Sequence, residues 1–592
     1  MKEYLFLFTV TPVQLFIAQA RKTQDLCAGS ALLSHFCRRC LHTVQERYQG
    51  QIVFPLPEME FLPNRFLAVL EGEDDESMRE IGERLEEDLR SEVRRIAEVI
   101  LDTLNLPEPG GVRQQTEDYF RFFWAFSSLE CGYEKAYRSV ERLLGQAKSV
   151  RPFKQSSSEP GRKCSLTGEQ TALFYRSKGR PPAYLSKSAL KLPSHVPAKY
   201  MAEGEALGAV GFIKRCAELY LRDQASGAER GNSFPSTCRI ALSDAYARLA
   251  DKDAALAEQV EKDFDDELVF YFKEIGAYPQ GKMPSPPSPV AANDWAAAWG
   301  VYTGLKRYEI RFSPYYAILV FDGDSMGKWL SGQRLTPGVS LRDFHRELSL
   351  ALSQFARRAA RDILVNSRGV TVYAGGDDFL GLVNLSSLME ILKALRSEFD
   401  RLDFSAYSPD KLTFSAGVAI AHYKTPLGIA LNWARRMEKE AKEPESGKDA
   451  LGLAVVKHSG ETVKTVGPWR SGDETWLTDD IQVILKNLDE DFSDSFITIF
   501  GREFRPLSQE QDDPKNTSGH LDEMVRSELR RLLLRSYSGA EQDKRTRSDL
   551  LWNVLSRDYI RLKRLDSFLD FLEVVRFLSR EAVPRVIKNQ GA

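Results

Sequence analysis

A Gly375-Gly376-Asp377-Asp378 tetrad stands between two short apolar runs, residues 369–373 and 379–384, and an earlier apolar run ends on Phe321-Asp322-Gly323-Asp324. Aspartates offer hard oxygen ligands suited to Mg²⁺ (or Mn²⁺). Gly375 and Gly376 allow a hairpin its positive φ and let a triphosphate come close to the backbone, as does Gly323 beside Asp322. Two such ions on Asp322, Asp377 and Asp378 can bridge a nucleotide's triphosphate, lower the pKa of a 3′-hydroxyl and stabilise both the attacking and the leaving oxygen. The reaction this implies is attack of that hydroxyl on an α-phosphate with release of pyrophosphate. Asp324, two residues further on, reads as either a further ligand or a group behind the ligands. Gly and Asp also dominate ordinary turns, so the tetrad alone is equally good hairpin chemistry. The carboxylate at Asp322, at the end of a neighbouring strand, favours the metal reading.

That neighbourhood follows from the order of elements. A strand over 315–321 leads to a helix over 341–366, strands over 369–373 and 379–384, a helix over 386–399, a strand over 411–420 and a helix over 427–442. This is a β-α-β-β-α-β succession, ferredoxin-like, with an added helix. In such a sheet the first and third strands are antiparallel neighbours, so the end of one, Asp322, lies beside the start of the other, Asp377 and Asp378.

The chain has 592 residues, more than one core fills, which predicts roughly three or four domains. With 43% hydrophobic and 28% charged residues it has globular composition, and its net charge of -3 excludes nucleic-acid binding by bulk charge. Local basic sequence does occur in the C-terminal stretch, at Arg530, Arg531, Arg535, Lys544, Arg545, Arg547, Arg561, Lys563 and Arg564, where a solvated helical face is the ordinary alternative. Seven cysteines suit a reducing cytoplasm. No run of about eighteen apolar residues predicts a membrane span. The apolar start, residues 4–10, is broken by Thr9, Thr11, Pro12 and Gln14, which argues against an export signal.

Four domains are expected. Residues 1–153 form a small α+β unit (strand 4–10, helix 15–48, strands 51–54 and 65–70, helix 77–104). Residues 154–305 are a helical middle unit (helices 206–221 and 240–275) that opens on a polar Ser-, Pro- and Lys-rich run at 154–200 and carries a Pro-rich loop at 279–289. Residues 306–470 hold the acidic turn, and residues 471–592 a helical bundle.

The chain resembles the large polymerase/cyclase subunit of type III-B (Cmr-type) CRISPR effector complexes. The carrying segments are Arg21-Lys22-Thr23-Gln24-Asp25-Leu26-Cys27-Ala28-Gly29-Ser30, Leu62-Pro63-Asn64-Arg65-Phe66, Phe321 to Trp329 and Lys457-His458-Ser459-Gly460-Glu461. Within it, Tyr373 to Phe379, Ser415-Ala416-Gly417-Val418-Ala419, and Ala441-Lys442 followed by Gly447-Lys448 resemble GGDEF-type nucleotide cyclases. The resemblance implies two ferredoxin-like palm domains facing each other and a phosphate-binding role for Lys442. It also implies a second ATP held partly by the N-terminal palm, where Asp25, Gly29 and Ser30 are candidates and turn or packing roles the alternative. It further implies partners: other Cmr-type subunits, guide crRNA, target RNA whose pairing switches the site on, and a small helical subunit on the C-terminal bundle. The implied product is a cyclic oligoadenylate made from ATP. Some relatives instead join ATP to S-adenosylmethionine, and a catalytically silent scaffold is the reading from another class.

The chain also departs from the family. It opens directly on the first palm and has no His-Asp dipeptide among its seven histidines, so DNA cleavage by an HD nuclease domain is not expected of it. Where relatives carry two CxxC pairs, it reads Cys164-Ser165-Leu166-Thr167 and Gly208-Ala209-Val210-Gly211, a degenerate zinc-finger region in which zinc is not expected. Cys216 and Cys238 could join Cys164 in a rebuilt site or be plain buried thiols. His35, Cys37, Cys40 and His42 resemble a metal box, but on a helix residues 37 and 40 share a face while 35 and 42 point elsewhere.

Overall fold

The structure, a computed structural model, describes residues 1–117, 119–150, 160–224, 234–261, 264–277, 282–287, 290–365, 368–443, 447–510 and 518–582. Much of the polar run at 154–161 and of the Pro-rich 279–289 lies outside the described residues.

The N-terminal unit runs β1 (Lys2–Thr11), α1 (Thr23–Tyr48), β2 (Gln51–Phe54), β3 (Arg65–Gly72), α2 (Asp75–Thr103), β4 (Arg121–Ser128) and α3 (Tyr133–Ser149). Its sheet has the order β2-β3-β1-β4, antiparallel throughout. β1 is apolar on both faces because it is central, and Tyr4 to Val10 are all buried. The rings of Tyr4, Phe6 and Phe8 meet Phe126, Trp124 and Phe122 of β4.

The unit with the acidic turn repeats this plan. It runs β5 (Tyr315–Gly323), α6 (Leu341–Arg358), β6 (Gly369–Ala374), β7 (Asp378–Asn384), α7 (Leu388–Phe399), β8 (Phe414–His422), α8 (Leu427–Ala441), β9 (Ala450–Val456) and β10 (Thr462–Pro468). Between the two units lie α4 (Ala209–Cys216) and α5 (Thr237–Lys252). The six-stranded sheet is ordered β10-β9-β8-β5-β7-β6. Counted within each unit, the first four strands read second, third, first, fourth in both sheets.

Several expected elements differ. The first helix is two, Gln14–Ala18 and α1, broken where Lys214 Nζ takes the carbonyls of Phe16 and Gln19. The helix expected over 240–275 is three, α5, Ala254–Glu261 and Glu267–Glu274. α6 stops at Arg358 and gives way to a π turn at Ala359–Ile363. Strands β4, β9 and β10 were not anticipated.

The middle unit carries a small sheet of Phe174–Tyr175, Leu190–Lys191 and Ala206–Leu207. C-terminal helices Leu477–Glu490, Ser495–Phe504, Ser518–Ser536, Lys544–Leu562 and Leu565–Glu581 follow the six-stranded sheet, the last packing on β10. No helix among the described residues is long and apolar enough to cross a membrane.

Candidate active site

The register of β5 on β7 sets Asp322 directly opposite Asp378, one step beyond the stacked pair Phe321 and Phe379 (ring centroids 4.9 Å apart). The turn is pinned at both ends: Gly323 N donates to Asp377 O at 2.8 Å and Gly375 N to Asp378 O at 3.0 Å. Gly376 has φ +112°, a conformation that a side chain would strain. Asp324 is buried and spoken for. Its carboxylate accepts from Thr413 Oγ1 and Ser415 Oγ, both at 2.8 Å, and from Asp449 N at 3.0 Å, so it braces β5 from behind.

α8 brings a cation to the carboxylates. A Cβ at Gly417 would collide with Ala434 O and Glu438 N, so only glycine lets α8 lie this close to β8. From the end of α8, Lys442 Nζ reaches Asp322 and lies 2.9 Å from Glu438 Oε1. Lys448 Nζ donates to Ser325 Oγ at 2.8 Å.

The electrostatics are those of buried carboxylates set close together. Burial and their mutual repulsion push the acidic pair up: Asp377 by burial, with the Arg65 cation partly opposing, and Asp378 by burial and the charge of Asp377. Burial and nearby Asp324 carry Glu438 up to about 7, while burial and Lys448 bring Lys442 down to about 8. Among the described residues no three His, Cys, Asp or Glu side chains are gathered as a ready metal cage. Lys442 holds Asp322, and Tyr373 hydrogen-bonds Asp378. The donor chemistry still fits a divalent cation: carboxylate oxygens on adjacent strands are hard ligands, and Asp377 and Asp378, held above their ordinary pKa, gain from a bound positive ion.

Residues 315–452 match the family model "Cas10/Cmr2, second palm domain", and residues 5–62 match "CRISPR-associated protein Cmr2, N-terminal". Both matches are to models of the Cas10/Cmr2 family. It is 26% identical over 563 residues to the CRISPR system Cmr subunit Cmr2 of Pyrococcus furiosus, a match covering 78% of this chain and 62% of that relative's length. Two cryo-EM structures share its fold. Type III-B Cmr-beta in the apo state matches with TM-score 0.63 and 15% identity over 91% of this chain and 78% of the other. Type III-B Cmr-beta bound to cognate target RNA matches with TM-score 0.64 and 16% identity over 98% and 83%.

The other residues singled out from sequence sit among other groups. Asp25 is fully buried against Arg215 of α4 and accepts from the backbone N of Arg21 and Lys22 at 2.9 and 3.0 Å. A Cβ at Gly29 would meet Lys214 Cε at 2.8 Å, and Ser30 Oγ is buried without a hydrogen-bond partner. This cluster joins the N-terminal and middle units. His35 pairs with Glu92 at 2.7 Å, Cys37 and Cys40 are buried, and His42 faces outward near Glu46, so the four are not a metal box. Cys164 is buried against Gly211, where a Cβ would stand 3.0 Å from its sulfur, while Cys216 and Cys238 are buried thiols that burial holds protonated.

Sequence reading missed Glu438 and Tyr373 as parts of the site. Glu438 was within reach of it, being one helical turn before Lys442 on the same face.

Proposed function

We propose that this chain is a nucleotidyltransferase subunit of a type III-B CRISPR effector complex, with Asp322, Asp377 and Asp378 as its catalytic centre and ATP as substrate. The observation that carries the reading is the pairing of Asp322 with Asp378 across two neighbouring strands, in a chain whose residues 315–452 match the second palm domain. Bound Mg²⁺ or Mn²⁺ would supply Lewis acidity at the triphosphate and a more acidic 3′-hydroxyl. The chain's own residues do the rest. Gly375 and Gly376 leave room for phosphate oxygens, Lys442 moves from Asp322 to the triphosphate, and Asp324 keeps the end of β5 in place. The new bond joins the 3′-oxygen of one ATP to the α-phosphorus of the next, and the bond to the departing pyrophosphate breaks. Repetition and closure give a cyclic oligoadenylate.

The proposed partners are other Cmr-type subunits, guide crRNA and target RNA in the cytoplasm, with a small helical subunit on the C-terminal helices. The relative from Pyrococcus furiosus is a Cmr subunit and one structural neighbour was solved on cognate target RNA, which supports this setting.

The test is to assemble the complex with guide and target RNA, supply labelled ATP and Mg²⁺ with and without S-adenosylmethionine, and identify products by mass spectrometry. A cyclic oligoadenylate that vanishes in Asp377→Ala plus Asp378→Ala supports the reading. A product only with S-adenosylmethionine would move the second substrate, and no nucleotide product at all would leave the scaffold reading standing.

A further inference from the structure

Two carboxylates share one ammonium at the end of α8. Lys442 Nζ reaches Asp322 of β5 and also lies 2.9 Å from Glu438 Oε1, one helical turn back on the same face. The two carboxylates differ in access. The Asp322 side chain is 44% exposed, whereas those of Glu438 and Lys442 are 18% and 21% exposed. Asp322 is therefore the member of the trio open to a cation arriving from solvent, and Glu438 is the sheltered one.

The backbone leaves only the side chain of Lys442 free to choose between them. A Cβ at Gly417 would stand 2.8 Å from Glu438 Cα and collide with its backbone N, so this turn of α8 is seated hard against β8. Lys442 N donates to Glu438 O at 3.2 Å, which ties the end of the helix to that same turn. Glu440, the next carboxylate along, is engaged by Arg436 at 3.0 Å and by Lys464 at 2.7 Å. A divalent cation on Asp322 would repel the ammonium at close range. Moving fully onto Glu438 keeps that ammonium paired and beside the site, by rotations within one side chain and with no shift of the helix.

We propose that Glu438 is a positioning residue: it receives the Lys442 ammonium when a divalent cation takes Asp322, so that the lysine neither bars the metal nor is lost to solvent before a triphosphate arrives. The inference rests on the reading of Asp322, Asp377 and Asp378 as metal ligands. It gives the pair of carboxylates on either side of Lys442 different tasks, Asp322 to bind the metal and Glu438 to hold the cation that the metal displaces.

The experiment is Mn²⁺ binding to the full chain, read as loss of the free-ion EPR signal, together with binding of a non-hydrolysable ATP analogue and of adenosine at saturating Mn²⁺. The variants are E438Q, E438A, K442A, E438A plus K442A, and D377A plus D378A. E438A is expected to weaken Mn²⁺ by about threefold or more, because Lys442 is then left to Asp322 alone. E438Q, which has the native shape without the charge, is expected to act in the same direction and stands in if E438A fails to fold. K442A is expected to tighten Mn²⁺, since it frees Asp322. Adding E438A to K442A is expected to change Mn²⁺ affinity by less than about twofold, the mark of a residue that acts through the lysine. At saturating Mn²⁺, E438A is expected to weaken the analogue by about threefold or more and to leave adenosine unchanged. Native Mn²⁺ affinity in both E438Q and E438A overturns the proposal, as does native affinity for the analogue in both. An E438A loss as large without Lys442 as with it also overturns it, because Glu438 would then act on the metal or the fold directly. If the acidic double variant binds Mn²⁺ as the native chain does, the metal reading of the turn fails and takes the proposal with it. Loss in the acidic double variant alone refutes only the role of Glu438.

Discussion

Asp322 at the end of β5 lies directly across from Asp378 at the start of β7, with Lys442 reaching Asp322 and Tyr373 hydrogen-bonded to Asp378. Because Asp378 titrates above its ordinary 3.8 in the folded chain, the folded state keeps a proton that the unfolded chain has already released. Stability therefore falls as pH rises from 3.8 to the raised value, and the native chain carries the whole cost above it. Asp378→Asn is expected to raise Tm in EDTA at pH 8.5 by about 2 °C or more. It should also lower nucleotidyl transfer on the order of 100-fold or more. Thermal unfolding with and without Mn²⁺ checks it: metal should raise the native Tm and leave the variant's nearly unchanged.

Lys442 has two positions to serve, Asp322 in the free chain and a triphosphate in the loaded one. Lys442→Ala is expected to weaken ATP binding by about tenfold, a charge-assisted contact, with adenosine affinity unaffected. Competition of each ligand against a fluorescent ATP analogue reads this directly, and equal loss for both ligands would count against a phosphate role.

Gly417 is where packing positions chemistry. Gly417→Ala forces a Cβ into Ala434 O and Glu438 N, and the helix that must retreat is the one ending at Lys442. Denaturant unfolding is expected to show a loss of about 1–3 kcal/mol. Nucleotide binding should fall as well, although residue 417 touches no ligand.

These cases show what was legible in the sequence. The neighbourhood of Asp322 and the acidic turn could be read because apolar runs of the right length follow in β-α-β-β-α-β order, and strand order then follows from topology. β9 was missed although Ala450–Val456 is entirely buried, because its partner β8 is parallel and lies across a helix. β10 was missed because Lys464 interrupts its half-exposed face. The break before α1 was illegible for another reason: the lysine that takes the carbonyls of the first turn lies 198 residues further along the chain. Local periodicity carries no information about contacts between units, and the Asp25 cluster is made of such contacts.

Asp25 and Arg215 form a fully buried ion pair between α1 and α4. Arg215→Ala would leave the Asp25 carboxylate desolvated with only two backbone N–H groups to hold it, which is expected to cost about 3–5 kcal/mol. Replacing both residues, in Asp25→Asn plus Arg215→Met, should recover a large part of that loss. A double-mutant cycle on unfolding midpoints measures it, and additive losses would deny the pair its role in joining the units.

His345 makes the seam between the two sheet-bearing units sensitive to acid. Its Nε2–H donates to Leu330 O at 2.8 Å, so Nδ1 must accept from the Tyr133 hydroxyl, also at 2.8 Å. Burial lowers its pKa from 6.5 to about 4 in the folded chain. Between those values the unfolded chain binds a proton that the folded chain refuses, so stability is complete above pH 6.5 and declines as pH falls to 4. The decline from this residue is on the order of 3 kcal/mol. Protonation would also turn Nδ1 into a donor facing a hydroxyl that must rotate to accept, which loosens α3 from α6. Unfolding followed from pH 7 to pH 4 is expected to show this slope in the native chain and a shallower one in His345→Gln, whose side chain can still donate to Leu330 but cannot take up the proton. An equal slope in both would assign the acid sensitivity to other groups.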